Sequence, residues 1–428
     1  MDIIITNGHV IDPSQNINGI GDILIENGKI KEIRLRPALL SPRPPSFDII
    51  DASGLYILPG LVDMHCHLRE PGFSHKETIK TGTLAGLKGG FTTLCCMPNT
   101  DPVNDNETVT EFILRKAFAE GACYVYPIGA ITKGQKGEEL AEMGKMRAAG
   151  CIAFSDDGRP VMNSLIMRRA LEYSKAIDAP IISHAEDPNL SEGGVMNEGI
   201  VSTRLGLRGI PREAEDIMIA RDLMLARLTG GRIHIAHVST GGGVELIRKA
   251  KEEGINVTAE TCPHYFTLTE EAVSDYNTNA KVNPPLRTEE DLIAIIEGLK
   301  DGTIDVIATD HAPHHRDEKL QEFDNAPSGI SGLETALSLS LNLVHSGHIS
   351  LYDLTKKISL NPARILGIPK GSLTIGTMAE IIILDISREF KVEGDSFISL
   401  GKNTPFDGWL LKGMVVATIC KGNKQNWI

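Results

Sequence analysis

The sequence lacks most features of secreted, membrane and nucleic-acid-binding proteins. Aromatic residues are only 5% of its 428 residues. No run reaches the roughly 18 uninterrupted apolar residues that a bilayer span needs. The N-terminal segment MDIIITNGHVIDPS has too short an apolar run, and no basic lead-in, for a signal peptide, so we expect none. Lys and Arg total 43 against 56 Asp and Glu, and the net charge of -13 disfavours nucleic acid or an anionic membrane as a general partner. A small anionic ligand stays compatible, because a few local cations can override the overall field.

The cysteines also lack a recognisable pattern. There are seven of them, at Cys66, Cys95, Cys96, Cys123, Cys151, Cys262 and Cys420. An odd, scattered set without C-x-x-C spacing argues against a disulfide framework or a structural zinc finger. Most lie in apolar, strand-like runs, where a thiol serves as a small buried hydrophobe. We therefore expect a reducing, cytoplasmic location.

The two ends of the chain resemble each other and differ from the middle. Residues 1–55 contain the β-rich runs DIIITNG, DILIENGKI and DIIDASG, each with a turn signal. Residues 370–428 return to this pattern in GTMAEIIILDI and KGMVVATICKGNK. We predict that both ends build one small β-sandwich domain together, with the Pro-rich stretch at 41–45 as a loop.

The middle, residues 56–369, alternates short apolar runs with helical segments. Amphipathic stretches at 161–178, 213–229 and 289–300 separate several strand-like runs, which are YILPGLVDM, FTTLCCM, CYVYPIG, CIAFSD, PIISHAE, RIHIAHV, INVTAE and IDVIAT. This α/β alternation predicts a (β/α)8 TIM-like barrel. Periodicity alone leaves a doubly wound open sheet as an alternative. No G-x-G-x-x-G follows a strand and no Walker sequence occurs, so nucleotide binding lacks support.

Ligand-type side chains recur where the predicted strands end. His65 and His67 flank Cys66 after an apolar run, and residues two apart on a strand point to the same face. Imidazole suits zinc. Further examples on other strands are Asp156, Asp157, His184, His237 and Asp310. Barrel active sites form at the carboxyl ends of strands, so we expect these side chains to converge. His234, two residues before a strand end, we interpret as a core histidine.

These motifs resemble the amidohydrolase superfamily and, within it, the dihydroorotase family. The matching segments are PGLVDMHCHLREPG (59–72), GGFTTLCCMPNT (89–100), FSDDG (154–158), SHAED (183–187), IAHVST (235–240), VNPPLR (282–287), ATDHAPH (308–314), GLET (332–335) and NPARILG (361–367). The resemblance covers nearly the whole chain. MPNT, VNPPLR and TDHAPH together are far more specific than an isolated His-x-His.

The resemblance implies a metal centre. His65 and His67 would bind the more buried metal, His184 and His237 the second, and Asp310 would be both a ligand and the general acid/base. Many relatives bridge two metals with a carbamylated lysine, whereas FSDDG offers no lysine and Asp157 takes that place. One or two Zn²⁺ ions both stay possible.

The resemblance also implies a set of substrate contacts. Arg69, Asn99 and His314 would hold the substrate carboxylate, and only the motif match selects His314 over its neighbour His315. The other implied contacts are His67, Asn283, Ser328 and Gly329.

The implied reaction is the reversible cyclisation of N-carbamoyl-L-aspartate to L-dihydroorotate in pyrimidine biosynthesis, with zinc activating water and the carbonyl. The nearest alternative is a dihydropyrimidinase (hydantoinase) or an allantoinase, relatives that generally rely on the carbamylated lysine. A non-enzyme alternative is an inactive scaffold subunit of an aspartate carbamoyltransferase complex, although every expected ligand position is filled here. The resemblance also allows an enzyme that is active only in a complex with the transcarbamoylase. It further implies a homo-oligomer.

Overall fold

The computed structural model describes residues 2–36 and 47–427, so the predicted loop at 41–45 lies outside the described residues. The strands in this part of the chain are Ile3–Asp12 (β1), Ile17–Glu26 (β2), Lys29–Leu35 (β3), Asp48–Asp51 (β4), Tyr56–Pro59 (β5), Leu61–Cys66 (β6), Phe91–Cys96 (β7), Tyr124–Pro127 (β8), Phe154–Ser155 (β9), Ile181–Ser183 (β10), Met196–Asn197 (β11), Gly209–Ile210 (β12), Ile233–Ile235 (β13), Val257–Thr261 (β14), Val306–Ile307 (β15), Ile381–Lys391 (β16), Leu410–Cys420 (β17) and Asn423–Asn426 (β18).

The α-helices of the same residues alternate with the strands of the middle region. They are Ile79–Lys88 (α1), Glu107–Glu120 (α2), Met143–Ala149 (α3), Ser164–Ala176 (α4), Pro188–Ser191 (α5), Ile200–Leu205 (α6), Glu213–Thr229 (α7), Gly241–Glu252 (α8), Glu289–Asp301 (α9), Arg316–Lys319 (α10), Ala336–His345 (α11), Leu351–Thr355 (α12) and Asn361–Leu366 (α13). The amphipathic stretches predicted at 161–178, 213–229 and 289–300 correspond to α4, α7 and α9. No helix in the described part of the chain combines the length and apolar character that a bilayer span requires.

The two β-rich ends of the chain meet in one sheet. Its strand order is β18-β17-β16-β5-β1-β2-β3, and β4 also pairs with β1. The strand β16 runs antiparallel to β5, with Ile381 opposite Pro59. Isoleucines from both ends of the chain, among them Ile3, Ile23 and Ile383, are fully buried in one apolar cluster. Burial of these side chains therefore joins the N-terminal segment to the C-terminal segment.

The middle of the chain is a mixed α/β arrangement of parallel strands. One sheet has the order β6-β7-β8 and another the order β15-β14-β13-β10-β9. The pairs within both sheets are parallel. Two isolated parallel bridges link the sheets, one between Gly129 and Phe154 and one between Cys66 and His311. The carboxyl ends of these strands therefore point the same way.

The run YILPGLVDM, predicted as one strand, is two strands separated by Gly60. The first half, β5, belongs to the sheet of the chain ends, and the second half, β6, begins the parallel strands. A β-carbon at Gly60 would lie 2.1 Å from the Oγ1 atom of Thr92. Only glycine permits this close approach, which occurs where the apolar run passes from one sheet to the other.

Candidate active site

A first group of ligand-type atoms is buried where β6 and β15 end. The Nε2 atom of His67 lies 3.1 Å from Oδ1 of Asp310. The Nε2 atom of His65 lies 3.5 Å from the same oxygen. His65 belongs to β6, His67 follows it directly, and Asp310 lies three residues beyond β15. The parallel strands thus bring together residues that are more than 240 positions apart in sequence.

A second group comes from β10 and β13, and Asp157 joins it to the first. The Nδ1 atom of His184 is 2.8 Å from Nε2 of His237. Each of these nitrogens is 3.5 Å from Oδ1 of Asp157. The same carboxylate lies 3.4 Å from Nε2 of His65 and 3.5 Å from Nε2 of His67. Asp157 therefore stands between all four imidazoles.

The surroundings of His65 favour a bound cation. Its Nδ1 atom lies 2.5 Å from Oε1 of Glu260, while its buried Nε2 atom has no hydrogen-bond partner. Burial lowers the pKa of His65, but the negative charges of Glu260, Asp157 and Asp310 outweigh it and raise that pKa well above its usual value. A buried nitrogen facing two carboxylates calls for a partner.

The chemistry of the donors fits a divalent metal. The ligand atoms of His65, His67 and Asp310 all lie within 4.8 Å of one another, and so do those of His65, Asp157 and His237. Imidazole nitrogens and carboxylate oxygens form the ligand sets that zinc takes in hydrolytic sites. The residues present thus fit the metal ion that the sequence led us to expect.

Both aspartates of the site are ionised. Burial raises the pKa of Asp157, but the charge of His65 and hydrogen bonds from His184, His237 and His65 hold it well below its usual value. Burial likewise opposes ionisation of Asp310, and the charges and hydrogen bonds of His65 and His67 lower the pKa of its carboxyl. An ionised Asp310 is free either to bind a cation or to accept a proton.

Arg69 and His314 line the other side of the site. The Nη2 atom of Arg69 is 3.3 Å from Nε2 of His314, and its Nε donates to the carbonyl of Pro313 at 3.2 Å. The Nε2 atom of His314 is also 2.9 Å from the carbonyl oxygen of Ser328. Burial lowers the pKa of Arg69 to about 10, which leaves the guanidinium charged at neutral pH. A partly buried, charged arginine is available here for an anionic ligand.

His314 is uncharged at neutral pH. Burial lowers its pKa to about 2, assisted by the positive charges of Arg69, Lys76 and Lys319. The Nζ atom of Lys76 lies 3.4 Å from Nδ1 of His314. The tautomer with its proton on Nε2 satisfies both this lysine and the Ser328 carbonyl. His315, by contrast, is exposed and caps α10, so the structure separates the two neighbouring histidines that the motif alone had to distinguish.

One cavity of about 200 Å³ gathers the candidate residues. Its walls are formed by His67, Arg69, Asn99, Asp157, Gly158, His184, His237, Asn283, Asp310, Ala312, His314, Ser328 and Gly329. Every site residue that the family resemblance implies lines this cavity except His65, which is fully buried beside it. Asp156, also expected to converge there, instead accepts hydrogen bonds from the backbone amides of Ile131 and Thr132. Asn99 has a second role, because its Oδ1 is 2.8 Å from Nδ1 of His67 and its Nδ2 donates to Asp157 at 3.3 Å.

The backbone of the site is strained at several of its own residues. Arg69, His237 and Asp310 have φ values of 60°, 33° and 44°. For residues other than glycine, such conformations cost about 1–3 kcal/mol each and cluster at functional sites. Gly329 has a φ of 144°, and a β-carbon there would lie 2.5 Å from the carbonyl of Ala312. Only glycine lets this loop approach the cavity so closely.

The sequence analysis missed two carboxylates that hold the imidazoles in place. Glu260 faces Nδ1 of His65 and also lies 3.2 Å from Nε2 of His234. Glu186 lies 3.2 Å from Nε2 of His184. Each carboxylate was visible in a quoted segment, Glu260 at the end of INVTAE and Glu186 within SHAED. His234 is buried and satisfied by Thr258 and Glu260, as expected of a core histidine.

A further histidine also escaped the sequence analysis. His264 follows β14, and its buried Nε2 atom has no hydrogen-bond partner. Burial lowers its pKa to about 4. Ligand atoms of His264, Cys262 and Asp310 lie within 4.8 Å of one another. This group adjoins the site through Asp310.

Comparison with known proteins identifies the family. Residues 54–242 match the family model described as dihydro-orotase-like. The dihydroorotases of Syntrophus aciditrophicus (strain SB) and Acetivibrio thermocellus are each 56% identical to the chain over 422 residues. These alignments span 99% and 98% of this chain, respectively, and 98% of each relative. The chain belongs to the dihydroorotase family.

Solved structures extend this family assignment to the fold. L-Hydantoinase (dihydropyrimidinase) from Arthrobacter aurescens superimposes with a TM-score of 0.87 at 26% identity, covering 100% of this chain and 97% of that one. Dihydropyrimidinase from Brevibacillus agri NCHU1002 gives a TM-score of 0.84 at 23% identity, covering 99% and 95%, and supports the fold alone. This member of the dihydroorotase family is therefore a cyclic amidohydrolase with the mixed α/β fold of the amidohydrolases, and zinc dependence is typical of that family.

Proposed function

We propose that this chain is a zinc-dependent dihydroorotase that interconverts N-carbamoyl-L-aspartate and L-dihydroorotate in pyrimidine biosynthesis. One observation carries the proposal, namely that a metal-ligand set and a partly buried, charged Arg69 line the same cavity. The arginine suits a substrate whose ring bears a carboxylate. Hydantoin lacks that carboxylate, so the same observation argues against a hydantoinase.

The proposal includes the finer architecture. Two isolated parallel bridges link the sheet β6-β7-β8 to the sheet β15-β14-β13-β10-β9. They support one closed (β/α)8 barrel with the strand order β6-β7-β8-β9-β10-β13-β14-β15. The sheet shared by both chain ends supports a separate small β-sandwich domain. In such a barrel the site lies at the carboxyl ends of the strands, which is where catalytic residues of this fold are found.

We assign the metal ligands as His65, His67, Asp157, His184, His237 and Asp310. Because Asp157 lies near both pairs of imidazoles, we propose that His65 and His67 would hold one zinc ion and His184 and His237 a second, with Asp157 and Asp310 supplying carboxylate oxygens. When bound, zinc would polarise the amide carbonyl and lower the pKa of water towards about 7. Asn99 and Glu260 orient His67 and His65 through their second ring nitrogens.

Asp310 is the proposed general acid/base. In the hydrolytic direction its carboxylate accepts the proton of the attacking water, which its lowered pKa permits because the group is ionised. It then delivers this proton to the ring nitrogen as the amide bond breaks. In the cyclising direction the same carboxylate takes a proton from the ureido nitrogen as this nitrogen attacks the carboxylate carbon. It returns the proton to the departing oxygen, which leaves as water with a second proton from solution.

The remaining residues orient the substrate. Arg69 holds its carboxylate by paired hydrogen bonds, and Asn99 and His314 complete that end of the cavity. Asn283 contacts the ring amide. Ser328 and Gly329 contribute backbone groups from a loop whose carbonyls are fixed by buried side chains, including the Nζ atom of Lys319 at 2.8 Å from Pro327 O and 3.2 Å from Gly329 O. Fixing the substrate in this way removes part of the entropic barrier.

The low pKa of His314 leads to a prediction about pH dependence. The folded-state pKa lies near 2, so the ring is already neutral throughout the working range, and KM for dihydroorotate is expected to show no titration of His314 between pH 6 and 8. His314→Gln should therefore raise KM less than His314→Ala, because glutamine also offers an uncharged donor. Initial rates across this pH range test both expectations. A wild-type KM that rises through pH 6.5 and becomes flat in His314→Gln would contradict a neutral role.

Expectations about partners rest on family membership, and the expected location rests on the pattern of cysteines. A homo-oligomer, association with aspartate carbamoyltransferase and a cytoplasmic location stay predictions.

The direct test of the proposed function is a substrate panel. The purified chain is assayed with L-dihydroorotate, hydantoin and allantoin in one preparation of measured zinc content. Selective turnover of dihydroorotate is the expected result, and preference for hydantoin or allantoin would overturn the proposal. If zinc is bound and no substrate reacts, the panel is repeated with aspartate carbamoyltransferase added. Continued inactivity would then favour a scaffold subunit.

A further inference from the structure

We propose that Glu186 is a positioning residue that couples the metal end of the site to the substrate end, by fixing His184 and Asn283 with one carboxylate oxygen. This inference rests on the proposed function, in which His184 binds metal and Asn283 contacts the ring amide. It also assigns a direction to the Asn283 amide, and with it the kind of substrate group that this residue recognises.

The contacts of Glu186 are unusually concentrated on one oxygen. Its Oε2 atom accepts a hydrogen bond from Nδ2 of Asn283 at 2.7 Å and lies 3.2 Å from Nε2 of His184. Its other oxygen, Oε1, accepts from the hydroxyl of Ser191 in α5. The side chain is largely buried and lies in the wall of a second cavity, which meets the site at Asn283 and Ser328. Glu186 thus stands behind the site rather than inside it.

For His184, this contact decides which nitrogen faces the site. A carboxylate accepts only, so the Nε2 atom of His184 carries the proton that is donated to Glu186. The Nδ1 atom then faces the site, 2.8 Å from Nε2 of His237 and 3.5 Å from Oδ1 of Asp157. Carboxylates behind a ligating histidine fix its ring orientation and raise its basicity. Glu186 therefore holds the His184 ring in the orientation that presents Nδ1 to the proposed metal ligands.

For Asn283, the same oxygen decides which end of the amide faces the cavity. The NH₂ group must point at the carboxylate, because the amide oxygen and a carboxylate oxygen cannot share a hydrogen bond. The Oδ1 atom of Asn283 is consequently the group left for the ligand. Asn283 offers an acceptor, which suits an N–H of the dihydropyrimidine ring or of the ureido group rather than a carbonyl.

The two ends of the site are coupled because they share the Oε2 atom. Movement of His184 shifts the acceptor on which Asn283 depends, and rotation of Asn283 removes one of the partners that hold Glu186 against His184. Loss of Glu186 should therefore weaken zinc retention and substrate binding together. A residue that only braces α5 would affect neither.

The test compares Glu186→Ala and Glu186→Gln with Ser191→Ala as the matched control. Ser191→Ala removes one bond of Glu186 but touches neither His184 nor Asn283. Zinc retention is measured against a chelator without substrate, and KM and kcat are measured with dihydroorotate. Glu186→Ala is expected to weaken zinc binding by about 10–100-fold and to raise KM by about tenfold. Ser191→Ala should change both by less than about twofold, because Ser191 contacts only the Oε1 atom of Glu186 and not the oxygen that faces His184 and Asn283.

Glu186→Gln keeps the shape of the side chain and an oxygen that can accept from Asn283. It therefore provides the test if Glu186→Ala does not fold. Its KM is expected to stay near that of the wild type while its zinc retention falls, because the negative charge behind His184 is lost. Equal KM increases in Glu186→Gln and Glu186→Ala would contradict the assigned orientation of Asn283.

Coupling is tested by adding Asn283→Ala to Glu186→Ala. If Glu186 acts through Asn283, the double variant should have a KM close to that of Asn283→Ala alone. Independent, multiplicative increases in KM would overturn the coupling. Unchanged zinc retention and KM in Glu186→Ala, with only a lower Tm, would show a structural role and overturn the proposal as a whole. Zinc retention is measured without turnover, and the KM comparison of single and double variants can use any cyclic amide that the wild type hydrolyses. A wrong assignment of dihydroorotate as the substrate would therefore be detected separately from a wrong role for Glu186.

Discussion

Replacing Asp310 with asparagine is expected to lower kcat for dihydroorotate by about 10²–10⁴-fold, the range that general acid/base groups contribute. Asparagine has nearly the shape of aspartate and keeps an oxygen that can face His65 and His67. It cannot accept a proton at neutral pH, whereas the Asp310 carboxyl is ionised because its imidazole neighbours lower its pKa. The variant should therefore fold and retain zinc yet fail in proton transfer. Steady-state rates, zinc content and thermal unfolding are measured on the same sample.

Asp305 provides the matched control for this experiment. It precedes β15 on the same segment, contacts Lys251 and accepts from the backbone amide of Ala259. It lies outside the walls of the site cavity, so Asp305→Asn is expected to leave kcat nearly unchanged. If Asp310→Asn keeps more than a tenth of the wild-type rate with zinc bound, Asp310 is not the general acid/base.

Replacing Arg69 is expected to have a comparable effect that depends on the substrate. Arg69→Met should lower kcat/KM for dihydroorotate on the order of 10²–10³-fold, since removing one partner of a buried charge pair costs about 2–5 kcal/mol. Arg69→Lys should recover only part of this loss, because an ammonium group cannot match both carboxylate oxygens as a guanidinium does. Hydrolysis of dihydrouracil, which has the same ring without the carboxylate, should change little from its own basal rate.

The control for Arg69 is Arg316→Met, which removes the same type of side chain from the first residue of α10. Arg316 is exposed and does not line the site cavity. Its kcat/KM should match the wild type. An equal loss with dihydroorotate and dihydrouracil in Arg69→Met would mean that Arg69 supports the fold or the metal centre instead of binding the carboxylate.

The convergence of the proposed metal ligands was predictable from the sequence because it depends on simple geometry. Side chains that follow parallel strands meet at one edge of the sheet, so His184, His237 and Asp310 converge once their strands are recognised. The alternation of side chains along a strand also puts His65 and His67 on one face. The choice of His314 over His315 came from the motif, and burial of the first and exposure of the second agree with it.

The supporting contacts could not be predicted in the same way. Periodicity tells which face of a strand a residue occupies, but not which distant side chain lies within hydrogen-bond reach. Glu186 meets Asn283 across 97 positions, and Glu260 meets His65 across 195. The break at Gly60 had a local signal in the Pro59-Gly60 pair, but the sequence did not show that Thr92 lies against Gly60. Such contacts require the folded structure.

The central claim is that one metal-dependent site hydrolyses a carboxylate-bearing ring, and zinc titration of the metal-stripped chain tests it most directly. Bound zinc and L-dihydroorotate turnover are measured in the same samples, with hydantoin as the comparison ring. The account predicts negligible turnover without metal, activity that rises with bound zinc up to two ions per chain, and little hydrolysis of hydantoin. Full activity in the metal-free chain, or a zinc-loaded chain that prefers hydantoin, would contradict it.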